Sequence, residues 1–204
     1  MKLLMIVLAV FSMPLYAQDD WDYQEEVAYQ ELHDSGMVYL QDGRQIEVDY
    51  AAISWEEIAA WPAGKKIIIG YAIGTGAVLQ DPETGKATNI ISGLAEHPLD
   101  IILKDCLQNA GSTTGMVACY DTANQNWDKE LNAKYRKLMD GLDDEGKVAL
   151  RDSQRAWVNF RDAQIKSISA IYDREGTLWR ITAIAKIMEI TREQAIRLNS
   201  YLGF

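Results

Sequence analysis

A long helical pattern in the second half of the chain most restricts how it folds. Apolar residues there recur at intervals of three and four, which is the spacing of one helical face. They are Met116, Cys119, Tyr120, Ala123, Trp127, Leu131, Tyr135 and Leu138. A second apolar run covers residues 150–171, and a third helix is predicted over about residues 177–201. Because short breaks separate the three, we expect an antiparallel helical hairpin with a third helix packed on it.

The first half carries the signals of short antiparallel strands. Asp42-Gly43 lies between residues 37–40 and residues 44–50, and this dipeptide favours the tight turn of a β-hairpin. Further strands are predicted at residues 67–73, 77–80 and 87–91, with a turn at residues 81–86. The sequence therefore predicts an α+β fold, in which a small, mostly antiparallel β segment precedes the helical hairpin and its third helix.

Two more segments complete this half. Ser54 and Glu57 have the spacing of a capping box, which predicts the start of a short helix. Residues 19–34 are acidic and aromatic, and they are predicted to form either a weak amphipathic helix or an extended arm. A solvated face or a mobile terminus is the more ordinary interpretation of that stretch.

Charge is distributed unevenly along the chain. Residues 18–98 contain 15 Asp and Glu against four Lys and Arg, a net charge of −11, whereas residues 99–204 contain 15 of each. This shift predicts a boundary within residues 92–98, between an acidic β-rich segment and a helical domain. The full chain has a net charge of −10, which disfavours nucleic acid and anionic membrane surfaces as partners.

The N-terminus has the pattern of an export signal. Lys2 precedes a short apolar run, and Ala17 ends the stretch just before acidic residues. We predict that residues 1–17 are a signal peptide cleaved near Ala17. No later stretch approaches the roughly 20 apolar residues of a membrane-spanning helix, so the mature protein is expected in the periplasm or secreted.

The two cysteines are expected to pair. The chain contains two cysteines, Cys106 and Cys119, and it is predicted to be exported. An even number of cysteines in an exported protein argues for a disulfide. The bond would tie a short helix at residues 98–110 to the start of the first long helix. Closing a loop of about 14 residues is worth about 3 kcal/mol in the chain-entropy model.

The sequence contains no assembled set of catalytic or ligand-binding residues. His33 and His97 have no Cys or carboxylate at metal-ligand spacing, so ordinary surface or turn positions are expected for both. Adjacent acids such as Glu56-Glu57 are more often solvated than catalytic. We therefore predict no metal, no cofactor and no enzymatic activity.

Scattered residues of the second half carry a resemblance to a known family. They are Cys106, Thr114, Met116, Cys119, Asp128, Leu131, Asn132, Tyr135, Leu150, Gln154, Arg155, Ala156, Trp157, Phe160, Arg161, Asp162, Ala163, Gly176, Thr191, Arg192 and Leu198. On these residues, the stretch 106–202 resembles the lysozyme-inhibitor LprI-like N-terminal domain family of exported bacterial proteins. The resemblance implies a disulfide-tied α-hairpin. Members of the family commonly carry a second cysteine pair on the later helices. This sequence departs from that pattern, because the corresponding regions contain Gln164-Ile165 and Lys186-Ile187 and no cysteine.

The resemblance also implies a function. We expect an exported inhibitor of lysozyme-like peptidoglycan hydrolases that acts by protein–protein binding, and an acidic chain would be steered toward a basic hydrolase. The turn at residues 81–86 and the loop at residues 109–115 are the candidate inhibitory elements. The alternative is a periplasmic structural or envelope-ligand-binding module with no inhibitory role.

A candidate recognition face lies on the second long helix. It comprises Gln154, Arg155, Arg161 and Asp162. Gln154, Trp157 and Arg161 are spaced by three and four residues, which places them along one helical stripe. The alternative is that Trp157 belongs to the core and that the neighbouring charges only orient the hairpin.

Overall fold

The computed structural model describes residues 21–202 and contains six strands and five helices within them. The strands are β1 (Tyr23–Leu32), β2 (Met37–Leu40), β3 (Gln45–Val48), β4 (Lys66–Ala72), β5 (Gly76–Gln80) and β6 (Ala87–Ser92). The helices are α1 (Trp55–Ala59), α2 (Pro98–Asn109), α3 (Thr113–Gly141), α4 (Asp144–Ile171) and α5 (Thr177–Ser200). The predicted signal peptide at residues 1–17 and its cleavage site lie outside the described residues.

The six strands form a closed antiparallel barrel in the order β1-β2-β3-β6-β5-β4, with β4 returning to β1. Side chains that alternate along the strands fill its interior, as the two-residue period of a strand requires. This core consists of Val27, Tyr29, Val38, Leu40, Ile46, Val48, Ile53, Ile58, Ile67, Ile69 and Leu79. Ile58 comes from α1, so this short helix contributes directly to the barrel core.

Two local predictions about the barrel are confirmed. Gly43 occupies the turn between β2 and β3 with a φ of 90°, a conformation that favours glycine. Ser54 caps α1, where its side chain accepts from the Glu57 N–H while the Glu57 carboxylate accepts from the Ser54 N–H. Both features depend only on neighbouring residues.

Residues 23–32 of the acidic stretch form a strand, so the predicted amphipathic helix and mobile terminus are wrong, whereas the extended alternative is closer to the structure. β1 runs for ten residues and pairs with both β2 and β4. Its register places Val27 opposite Ile67, with both side chains in the barrel core. β1 therefore supplies the pairing that closes the barrel.

The long helices pack differently from the predicted hairpin. α3 packs mainly against α5, and the small residues Ala123 and Ala195 are both buried in their shared core. Thr191 on α5 donates a hydrogen bond to Asn124 on α3 at 3.1 Å. α4 lies less deeply than its two neighbours, and Ile168 is its one buried residue.

The predicted fold class is therefore wrong. The small β segment is in fact a closed six-stranded barrel, and the helical part is a set in which α3 and α5 form the main contact. Barrel closure depends on β1 and on pairing between β3 and β6, two strands distant in sequence. The assumption that helices adjacent in sequence pack most closely fails, because α3 packs mainly on α5 and α4 also contacts α5 more than it contacts α3.

The predicted disulfide is confirmed. Cys106 in α2 and Cys119 in α3 are bonded, with their Cα atoms 5.8 Å apart. The bond joins the two helices on either side of the loop at residues 110–112. Within residues 21–202, the helices lack the combination of length and apolar character that crossing a bilayer requires.

Candidate functional site

The barrel and the helices share a buried aromatic junction. Tyr71 lies two residues beyond Ile69 on β4, yet its side chain enters the helical core beside Leu99 and Trp127. The ring of His97 packs against both aromatic rings, with its centroid 5.2 Å from that of Tyr71 and 4.4 Å from that of Trp127. One packed unit thus connects the end of β4, the start of α2 and the middle of α3.

His97 has a structural role at this junction. Its Nδ1 accepts a hydrogen bond from the backbone N–H of Leu99 at 3.2 Å and so caps α2. Burial lowers the pKa of His97, while the carboxylates of Glu130 and Asp100 act in the opposite direction. The imidazole is therefore neutral at pH 7, which is the form that can accept this bond.

A buried ion pair lies next to the aromatic junction. Glu130 and Lys134 are one turn apart on α3 and contact each other at 2.9 Å, with side-chain exposures of 3% and 8%. Glu130 also accepts a hydrogen bond from the backbone N–H of Gly74, which lies in the β4–β5 turn. Burial raises the pKa of Tyr71, and the Glu130 carboxylate nearby raises it further. These groups hold the barrel on α3.

A second ion pair closes the other side of the junction. The Arg192 guanidinium on α5 donates to both carboxylate oxygens of Asp100 on α2, with the shortest contact at 2.6 Å. The same guanidinium lies 5.5 Å from the ring centroid of Trp127. The junction thus consists of packed aromatic rings flanked by two ion pairs, and it connects β4, α2, α3 and α5.

The turn at residues 81–86 is an exposed but well-supported element. Asp81 is buried, contacts Lys65 at 3.1 Å and accepts from the Thr84 hydroxyl at 3.0 Å. Burial alone would raise the pKa of Asp81, but these bonds bring it below its ordinary value. Lys65 also binds Glu83, whose side chain is 76% exposed. The turn therefore presents an exposed tip on a fixed base.

The loop between α2 and α3 is also constrained. Gly111 has a φ of 60°, and Ser112 caps α3 by accepting from the Gly115 N–H at 3.1 Å. A Cβ on Gly115 would lie 2.3 Å from the Ala110 carbonyl oxygen, so the loop folds tightly against the first turn of α3. The disulfide between Cys106 and Cys119 joins the two helices that flank this loop and so restrains its ends.

The predicted recognition residues occupy two sides of α4. Gln154 and Arg161 are partly buried, and the Arg161 guanidinium lies 5.4 Å from the ring centroid of Trp157. Arg155 and Asp162 are exposed, and Asp162 binds Arg161 at 2.9 Å. Trp157 packs against the helical core, as the structural alternative expected. A recognition role for the four residues remains a prediction.

The structure contains a basic cavity that the sequence did not predict. It has a volume of about 600 Å³ and lies between the β4–β5 turn and the C-terminal half of α3. Lys129, Arg136 and Lys137 line its α3 side. In the sequence these are ordinary polar positions of a helix, and only the folded chain brings the turn over them. Within residues 21–202, no group of three or more His, Cys, Asp or Glu side chains is placed to hold a metal ion.

One family model matches the helical part of the chain. Residues 104–198 match the family model described as lysozyme inhibitor LprI. The resemblance expected from the sequence is thus confirmed for this segment. The LprI segment contains both cysteines, all of α3 and α4, and α5 as far as Leu198, whereas the barrel lies outside it.

Two further comparisons concern curated proteins and solved structures. No curated protein matches the chain. The crystal structure of an uncharacterized protein from Burkholderia thailandensis is similar to it, with 27% sequence identity over 52% of this chain and a TM-score of 0.48. The chain spans about half the length of that protein, since the similarity covers 53% of it.

Proposed function

We propose that this protein is an exported inhibitor of lysozyme-like peptidoglycan hydrolases and that it acts by protein–protein binding. The observation that carries the proposal is the match of residues 104–198 to the lysozyme inhibitor LprI family. An inhibitor of this kind needs a rigid surface and an electrostatic match to its target rather than catalytic groups. The function is therefore assigned to surfaces of the folded chain.

The charge of the barrel supports binding to a basic hydrolase. Residues 21–98 include four Lys and Arg residues, and each of the four binds a carboxylate of the same segment. The pairs are Arg44 with Glu25 and Asp42, Lys65 with Asp81 and Glu83, Lys66 with Glu26, and Lys86 with Glu57. Exposed carboxylates such as Glu31, Asp34 and Glu56 remain without a cationic partner among the described residues. This surplus would accelerate association with a positively charged protein, most strongly at low salt.

We assign the primary contact to the turn at residues 81–86. An exposed turn that is already fixed loses less conformational entropy on binding than a mobile loop does. Lys86 links this turn to Glu57 on α1, and α1 presents Trp55, which is 41% exposed. An exposed Trp beside a fixed acidic turn has the composition of a binding hot spot.

The inhibitory activity is tested with a cell-wall clearance assay. The rate at which lysozyme clears a bacterial cell-wall suspension is measured with and without excess oxidised mature protein, at low and at moderate salt. Dose-dependent slowing at both salt concentrations is the expected result. Slowing at low salt alone would indicate generic charge pairing. No slowing against several lysozyme types would overturn the proposal and favour the non-inhibitory envelope-binding module.

The contact surface is tested separately with two matched variants. Glu83→Ala removes the carboxylate at the tip of the turn, and Glu175→Ala removes an exposed carboxylate outside the barrel, between α4 and α5. We expect Glu83→Ala to raise the inhibition constant by about fivefold or more, as loss of an interface anchor does, with a much smaller effect of Glu175→Ala. Equal effects would remove the assignment of the turn while leaving inhibition itself intact. Arg155→Ala in the same assay tests the face on α4.

A further inference from the structure

The basic cavity joins the two parts of the molecule. The β4–β5 turn forms one wall, with Ile73 and Gly74, and α3 forms the other. The two walls approach closely, since a Cβ on Gly74 would lie 3.0 Å from the Cβ of Ala133. The cavity is open to solvent on one side, and its volume of about 600 Å³ lies within the range of small-molecule sites in proteins.

Three cations of the cavity have no ionic partner in the part of the chain that the structure describes. Arg136 and Lys137 follow Lys129 by seven and eight residues, which is about two turns of the helix. The three residues therefore lie on one side of α3. Within residues 21–202, no carboxylate lies within 4.0 Å of any of these three charged groups. The four basic residues of the barrel segment differ in this respect, because each of them binds at least one carboxylate.

The two acidic residues that line the cavity do not neutralise it. Asp22 is already engaged, since its carboxylate accepts a hydrogen bond from the backbone N–H of Ile73 at 2.7 Å. Asp140 lies one turn beyond Arg136 and Lys137 on α3 and makes no ion pair with either. Three cations therefore face two carboxylates, and this local excess of positive charge occurs in a chain whose net charge is −10.

We propose that this cavity binds a small anion that carries carboxylate or phosphate groups. The Arg and the two Lys that line the cavity can supply several charge-assisted hydrogen bonds, and the planar guanidinium matches both kinds of oxyanion. The ligand also contacts the β4–β5 turn opposite, so its binding stabilises the attachment of the barrel to α3. This site is separate from the turn at residues 81–86 and does not depend on the inhibitory function.

Isothermal titration of the full mature protein with citrate and with inorganic phosphate tests the proposal. N-acetylglucosamine serves as the uncharged control. We expect at least one of the two anions to bind below a concentration of about 10 mM, with no signal from the sugar. Preference for citrate would identify a carboxylate ligand, and preference for phosphate a phosphorylated one. The absence of binding by both anions would overturn the proposal.

Charge variants distinguish a site from general electrostatics. Lys137→Gln and Arg136→Gln are expected to weaken anion binding by about fivefold or more, since each removes a charge-assisted contact. Asp140→Asn should strengthen binding because it removes a negative charge from the lining. Lys166→Gln, an exposed position on α4, is the matched control and should leave the affinity unchanged. Circular dichroism verifies that each variant is folded. Equal weakening by Lys166→Gln and Lys137→Gln would overturn the proposal.

Discussion

The backbone N–H of Gly74 donates a hydrogen bond to Oε2 of Glu130 at 2.6 Å. This bond connects the β4–β5 turn of the barrel to the middle of α3. Glu130 is also paired with Lys134, so one carboxylate satisfies a backbone donor and a buried ammonium group. The attachment of the barrel thus depends on a charge that is removed from water, and its loss has a measurable cost.

Glu130→Ala should therefore be strongly destabilising. It leaves the buried Lys134 ammonium without a partner, and breaking a buried ion pair from one side typically costs about 3–5 kcal/mol. Urea unfolding followed by tryptophan fluorescence measures the change in free energy of unfolding. Glu193→Ala, at an exposed position on α5, should change stability by less than about 0.5 kcal/mol. Similar losses in the two variants would contradict the role assigned to the Glu130 pair.

His97 should make stability depend on pH. Because burial lowers its pKa below the ordinary value of 6.5, the unfolded chain binds this proton more readily than the folded chain does. The stability contributed by the neutral ring is complete above pH 6.5 and is lost as the pH falls toward the lower, folded-state pKa. Free energies of unfolding between pH 7.5 and pH 5 should fall more steeply for the wild type than for His97→Asn. The exposed His33→Asn variant should follow the wild type.

The disulfide between α2 and α3 should contribute substantially to stability. The two cysteines are 13 positions apart, and closing a loop of that size stabilises the folded state by about 3 kcal/mol. We expect the Cys106→Ala/Cys119→Ala double variant to lose about this amount in chemical denaturation. Addition of a reductant should destabilise the wild type and leave the double variant unchanged. A reductant effect on both proteins would point to a cause other than this bond.

Gly93 should tolerate no side chain. It has a φ of 97°, and a Cβ there would lie 2.0 Å from the carbonyl oxygen of Gln45. Gly93→Ala therefore combines backbone strain with a steric clash beside the β3–β6 pairing, and we expect a loss of more than about 2 kcal/mol. Gly43 has a similar φ of 90° with no atom near the position of a Cβ. Thermal unfolding of Gly43→Ala should show the backbone cost alone, about 1–2 kcal/mol.

The features that could be predicted from the sequence are those set by nearby residues. The capping box of Ser54 and Glu57, the turn at Gly43 and the Cys106–Cys119 bond each involve partners within 13 positions. In each of these three cases, a short stretch of sequence contains all the residues that form the feature. The LprI resemblance was also accessible from the sequence, and a family model matches residues 104–198.

The features that were missed depend on distant partners. Tyr23 on β1 pairs with Tyr71 on β4, and nothing in the acidic composition of β1 indicates that partner. Periodicity likewise shows which face of α3 is apolar, but it does not show whether α4 or α5 covers that face. The basic cavity was missed for the same reason, since Lys129 acquires its meaning only when the β4–β5 turn lies opposite it.

Closure of the barrel by β1 also bears on how safely the chain folds. Before β1 docks, β2 and β4 would each present a row of unsatisfied backbone donors and acceptors, and such edges readily pair with other molecules. In the finished barrel both rows are occupied, because β1 bonds to β2 along one side and to β4 along the other. The acidic strand thus shields two neighbours from aggregation, and the side chains of Glu26 and Glu31 add charges that discourage intermolecular sheets.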